Sequence, residues 1–150
     1  MESEISAAEK LAIERACERV VLDAVHGNDS RDYKLLAAMF TTDGTLHRPS
    51  GPPLIGREAI EASYLQRPAD RITRHLVTNI RVEITSPSTT HVLSYALVYA
   101  ASTARPAEGN FGLPAETRHL VGEFEDEMVF TDEGWRIRER HARFVMHFAG

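Results

Sequence analysis

Histidine is the side chain whose ordinary ionisation falls between pH 5 and 8, so the seven histidines mark where proton transfer near neutrality can occur. Six of them, His26, His47, His91, His119, His141 and His147, are scattered, and no two of the seven stand at His-x-His spacing. No metal site is expected from that pattern. The remaining one, His75, opens a stretch that reads as a long strand, Arg74-His75-Leu76-Val77-Thr78-Asn79. A neutral imidazole accepts a proton, and a carboxylate on its other ring nitrogen fixes the tautomer and steadies the imidazolium that forms. Asp29 is a carboxylate of interest, although its residue chemistry alone reads as a helix N-cap. Cys17 sits on an apolar helical stripe and reads as packed and inert. There is no glycine-rich phosphate loop and no Gly-x-Ser-x-Gly elbow.

Composition narrows the classes. A chain of 150 residues reads as a single domain spanning 1–150. The net charge of −5 comes with acids and bases mixed along the chain, so no nucleic-acid partner is expected. One cysteine excludes an intrachain disulfide and fits a cytoplasmic location. Met1 to Ala8 is polar and acidic, without a signal core. No apolar run approaches the ~20 residues of a membrane helix, so no membrane partner is expected.

The elements that must position these residues follow in order. Ser6-Ala7-Ala8-Glu9 reads as a capping box, and apolar residues from Leu11 to Val25 keep helical spacing. Gly27-Asn28 reads as the stop, with Asp29-Ser30 capping a second helix over about 31–40. Thr42-Asp43-Gly44 reads as a turn into a short strand over 45–47. A third helix begins near Gly56 and ends before Pro68. His75–Thr85, His91–Ser102, Arg118–Thr131 and Trp135–His147 read as long strands between turn signals. Helices followed by consecutive strands predict an α+β fold with a curved antiparallel sheet enclosing a pocket. Simple alternation puts His75 on a face with Asn79, Arg81 and Glu83; a bulge between His75 and Ile80 would instead place it with the apolar set. The acidic run Glu123–Glu127 reads as solvated, or paired with Arg138 and Arg140.

Several segments carry a resemblance. They are Asn28-Asp29-Ser30-Arg31-Asp32-Tyr33, Met39-Phe40-Thr41-Thr42-Asp43-Gly44, Gly56-Arg57-Glu58-Ala59-Ile60, Thr73-Arg74-His75-Leu76-Val77-Thr78-Asn79 and Gly134-Trp135-Arg136-Ile137. In order and spacing this set resembles the SnoaL-like branch of the nuclear transport factor 2 superfamily. The resemblance implies a cone of three helices on a strongly curved sheet. It also implies a catalytic Asp29–His75 pair, because lyases of the scytalone dehydratase and dehydrochlorinase type carry their aspartate and histidine at those positions. The second histidine of the former corresponds to Ser102 here. The tyrosine before its aspartate corresponds to Asn28, and the basic aspartate of the ketosteroid isomerases to Arg48.

A cofactor-independent lyase or isomerase, of dehydratase or cyclase type, is therefore expected to act on a small apolar cyclic or polyketide-like molecule. Such chemistry requires no metal or organic cofactor, and none is expected. Tyr95, Asn79 and Ser102 are candidates to polarise the substrate. Phe40, Tyr64, Leu76 and Met128, with Tyr95, are candidate pocket walls. Two alternatives stand beside the enzyme: a non-catalytic scaffold resembling the β subunits of ring-hydroxylating dioxygenases, and a small-molecule-binding protein. A homo-oligomer, dimer or trimer, is expected in each case because helices cover only one face of such a sheet.

Overall fold

The first 23-residue helix decides where the later chemistry sits. In the computed structural model, which describes residues 4–150, α1 spans Ala7–Asp29. Met1–Ser3, part of the polar N-terminal stretch, lie outside the described residues. The capping box is formed: Ser6 Oγ accepts the Glu9 N–H at 3.1 Å, and Glu9 Oε2 accepts the Ser6 N–H at 2.9 Å. Gly27 and Asn28 do not stop this helix. An added Cβ at Gly27 would lie 2.8 Å from the Leu36 nitrogen and 2.9 Å from the Asp32 carbonyl oxygen. Glycine is there to let two backbones touch, not to end a helix. The turn comes at Ser30, whose N–H bonds the His26 carbonyl at 2.9 Å, and Arg31 adopts the left-handed region at φ 61°. Asp32, not Asp29, caps α2 (Tyr33–Ala38), its Oδ1 accepting the Leu35 N–H at 3.1 Å. That leaves the Asp29 carboxylate free for other work.

The chain continues through β1 (Phe40–His47), β2 (Leu54–Ile55) and α3 (Arg57–Leu65), then β3 (Arg71–Ser86), β4 (Thr89–Ser102), β5 (His119–Thr131) and β6 (Gly134–Phe148). One sheet forms in the order β2-β1-β6-β5-β4-β3. The four long strands pair antiparallel; tight turns join β3 to β4 and β5 to β6, and a longer loop over 103–118 joins β4 to β5. β1 instead runs parallel to β6, so the sheet is mixed rather than antiparallel throughout. No hairpin joins those two strands, so none dictates their relative direction. Residues 42–44 lie within β1, where the register against β6 slips between Phe40 and Thr45. Further slips, in β3 against β4 and in β6 against β5, add to the bend of the sheet.

The helices lie across the inner face of the sheet. Cys17, Val20, Val21 and Ala24 of α1 and Leu36 and Ala37 of α2 pack with Phe40, Leu46, Ile60, Val92, Met128 and Ile137 in one core. Cys17 is fully buried, and burial pushes its thiol pKa up, which keeps it an inert apolar group. The acidic run on β5 splits by strand alternation. Glu125 and Glu127 reach Arg143 and Arg138, while Asp126 turns inward and accepts two bonds from Arg140, at 2.7 and 2.9 Å. Both members of that pair are buried, so of the two readings of the run the pairing with Arg138 and Arg140 holds, and Asp126 is not solvated.

Gly27→Ala tests the close approach of α1 and α2. Helix propensity alone favours alanine by about 1 kcal/mol. Backbone atoms under 3 Å away cannot yield as a flexible side chain would. The clash should therefore win, with a net loss of about 1–3 kcal/mol in urea unfolding. An alanine variant as stable as the parent would show that the two backbones separate freely.

Candidate active site

β3 is an edge strand, so one side of its backbone has no strand partner. The last residue of α1 meets it there. Asp29 Oδ2 accepts the backbone N–H of His75 at 2.8 Å, a bond that also covers part of the open edge. Arg31 holds the corner in place, its Nη1 donating to the carbonyls of Arg71 at 2.8 Å and Pro68 at 3.3 Å. Its left-handed backbone is of the kind that persists where the surroundings over-determine it. On β3, the register slips between Thr78 and Arg81, and Asn79 takes φ 54°. This bulge shifts the phase of the strand. Thr73, His75 and Val77 face inward before it, and Ile80, Val82 and Ile84 after it.

Asp29 Oδ1 lies 2.6 Å from His75 Nδ1 and also accepts the Thr73 hydroxyl at 2.9 Å. The two side chains are 14% and 9% exposed, dry enough for these bonds to act at low dielectric. Burial alone pushes the Asp29 pKa up. Hydrogen bonds from the His75 side chain and backbone, the His75 charge and the Thr73 bond outweigh it and hold the carboxyl below its ordinary value. An ionised carboxylate only accepts, so Nδ1 carries the ring proton when His75 is neutral. Nε2 is then the basic nitrogen. It has no hydrogen-bond partner among the described residues, and His75 lines a cavity of about 230 Å³.

The apolar part of this cavity is Ala96 and Val98 of β4, Leu120, Gly122 and Phe124 of β5, and Ala142 and Phe144 of β6. Small residues make the space: Ala96 pairs with Gly122, and Phe124 with Ala142. The polar part of the lining comes from Asn28, Arg48, Ser63, Tyr64 and Arg67, from Arg71 and Thr73 of β3, and from the paired Glu123 and Arg143. The pocket is therefore mainly apolar in surface, with its polar groups set among the small apolar residues of the sheet.

Of the side chains expected to bind substrate, Tyr64 lines this cavity beside His75. The others do not, each for a physical reason. Phe40 and Met128 point inward but are fully buried in the core. Leu76 neighbours His75 along the strand and so faces outward, 48% exposed. Tyr95 lies between inward-facing Ser94 and Ala96 and is likewise turned out, 40% exposed. Asn79 is spent on the bulge. Ser102 donates its hydroxyl to Asp70 Oδ2 at 2.6 Å and stays off the cavity wall. Residue type alone favoured these tyrosines and phenylalanines. The informative signal was the opposite one, small residues on the inward phase of successive strands. Away from the cavity, Glu139 Oε1 meets His47 Nε2 at 2.9 Å and His141 Nε2 at 3.1 Å on the other face of the sheet. Sequence spacing could not show this cluster, because parallel pairing of β1 with β6 assembles it.

A curved sheet under three helices, with an aspartate and a histidine joined at its edge, defines the class. The SnoaL-like domain family matches residues 9–141, and the chain belongs to it. Among curated protein sequences none matches. Solved structures show the same fold. A protein of Novosphingobium aromaticivorans provisionally assigned as a scytalone dehydratase superposes with a TM-score of 0.81 at 23% identity, covering 97% of this chain and 92% of that one. The type 3 hexachlorocyclohexane dehydrochlorinase of Novosphingobium barchaimii gives 0.79 at 19% identity, over 95% and 93% of the two chains. A protein of Novosphingobium aromaticivorans provisionally assigned as an aromatic ring hydroxylase gives 0.75 at 18%, over 93% and 94%. At these identities the likeness establishes the nuclear transport factor 2-like fold. No helix among the described residues is long and apolar enough to cross a membrane.

The lowered pKa of Asp29 has a stability consequence whose sign is fixed. Its ionised form is favoured in the folded state, so its contribution is complete above the unfolded value of about 3.9 and is lost as pH falls through the lower folded value. The gap in urea-unfolding free energy between the parent protein and Asp29→Asn should be widest near neutrality and shrink below about pH 4. A gap that stays constant into strong acid would mean that the charge of Asp29 contributes nothing.

Proposed function

We propose that the protein is a cofactor-independent lyase or isomerase, of dehydratase or cyclase type, that acts on a small, mostly apolar cyclic or polyketide-like molecule. One observation carries this reading: a carboxylate 2.6 Å from Nδ1 of a cavity-lining histidine whose Nε2 has no partner among the described residues. His75 Nε2 takes a proton from a carbon beside a carbonyl or beside a leaving group. The electron pair left on carbon moves into the carbonyl or expels the leaving group. Asp29 stabilises the imidazolium and returns the ring to the same tautomer. The names of the dehydratase and dehydrochlorinase among the structural neighbours support the same class of chemistry. A cavity lined by the histidine of this pair favours turnover over a bare scaffold.

On a substrate found by screening, His75→Ala and His75→Gln should each lower kcat by at least ~10²-fold, the lower end for loss of a general base. Asp29→Asn should also slow the reaction, because an amide cannot stabilise the imidazolium as a carboxylate does. A folded His75→Ala protein with full activity would remove the mechanism.

The chain is also proposed to form a homo-oligomer through the outer sheet face and the end of β6. Leu76, Tyr95, Val145, Met146 and Phe148 are exposed apolar side chains there, 40–59% accessible. Light scattering should give a mass of two or three chains at micromolar concentration. A monomer would contradict this.

A further inference from the structure

The polar wall of the cavity is cationic in an acidic protein, and its positive groups are not alike. Arg71 is paired with Glu116 at 3.0 Å, and Arg143 with Glu123 and Glu125 at 2.8 and 2.9 Å. Arg48 and Arg67 have no carboxylate partner among the described residues. Both are held by neutral groups. Arg67 Nη1 donates to Oδ1 of buried Asn28 at 2.7 Å, and its guanidinium lies 4.9 Å from the centre of the Tyr64 ring. Arg48 Nη1 donates to Ser63 Oγ at 2.6 Å, and its Nε is buried without an acceptor. Each arginine thus spends one nitrogen on orientation and keeps Nη2 unclaimed. A half-buried cation without a counter-ion is unfavourable, and two on one wall repel each other. That arrangement makes sense where an anion completes it.

We propose that Arg48 and Arg67 form a carboxylate-binding subsite, so that the molecule acted on is a small organic acid with an apolar body. The inference rests on the catalytic reading of the same cavity and adds the charge of the substrate. A guanidinium with one edge fixed offers parallel donors to a carboxylate, which a flexible lysine does not. The apolar body lies against Ala96, Val98 and Leu120, and the carbon facing His75 is a different one from the carboxyl carbon. The carboxylate anchors and orients the molecule and takes no part in bond making. At about 230 Å³ the cavity is below the ~300 Å³ lower end for drug-sized ligands, which restricts the acid to a small one.

The test compares two probes of the same shape, 3-phenylpropanoate and 3-phenylpropanamide, by titration calorimetry at constant ionic strength and mildly alkaline pH. The parent protein should bind the acid at least about tenfold more tightly than the amide, the worth of one charge-assisted hydrogen bond. Arg67→Met and Arg48→Met should each cut that preference, and the double variant should abolish it. Arg67→Lys, which keeps the charge and guards against a folding artefact, should retain part of it. His75→Gln should keep the preference intact. Equal binding of acid and amide, no saturable binding of the acid at millimolar concentration, or a preference that survives the double variant would overturn the proposal. The two readings fail separately: a wrong His75 tautomer removes the base while the acid preference stands, and the reverse also holds.

Discussion

Everything in the candidate site depends on one contact, the carboxylate of Asp29 against the edge of β3. It joins the C-terminus of the first helix to an edge of the sheet, where backbone donors have no strand partner. The negative end of a helix is a poor place for a carboxylate, and burial makes it poorer. Three hydrogen bonds, from the Thr73 hydroxyl and from the backbone and ring of His75, reverse that balance. The same bonds set the ring's orientation and its tautomer. The Gly27 contact, the left-handed turn at Arg31 and the bulge at Asn79 all serve this meeting. Each departs from regular structure to bring two otherwise ordinary residues together.

The cavity follows a second constraint, the need to leave space in an interior that otherwise packs tightly. Alanine and glycine stand on the inner phase of β4, β5 and β6 where larger residues would fill the cone. Below that space the interior is closed by apolar side chains and by the Asp126–Arg140 pair, whose guanidinium lies 4.2 Å from the Phe124 ring centre. Removing either member would strand a buried charge, which typically costs about 3–5 kcal/mol. The floor of the site is thus rigid for electrostatic as well as steric reasons. The wall formed by α3 and the loop after β1 differs, because its arginines are oriented by neutral groups and keep their charge.

Much of this was legible in the amino-acid sequence, and the limits are instructive. Helices before long strands, the capping box at Ser6 and the turn signals between strands all read correctly, because each is a local signal. The positions of Asp29 and His75 were legible through resemblance, and the bulge was legible as the condition for His75 to face inward. Where reading by residue type failed, the cause was long-range. Gly27 looks like a helix stop until the approach of α2 is known. Asp29 looks like a cap until Asp32 is seen to cap instead. Tyr95 looks like a pocket residue until the phase of β4 is counted from Ser94 and Ala96. Arg48 and Arg67, distant in sequence from His75, carried no local mark at all.

The central claim is that Asp29 holds His75 with its proton on Nδ1 and its basic nitrogen turned to the cavity. Nitrogen-15 NMR of the histidine rings measures this directly. The account predicts a neutral His75 with a protonated Nδ1, an unprotonated Nε2 and a far-downfield Nδ1 proton that is lost in Asp29→Asn. A neutral His75 ring that carries its proton on Nε2 rather than Nδ1, or one unaffected by the loss of the Asp29 charge, would contradict it.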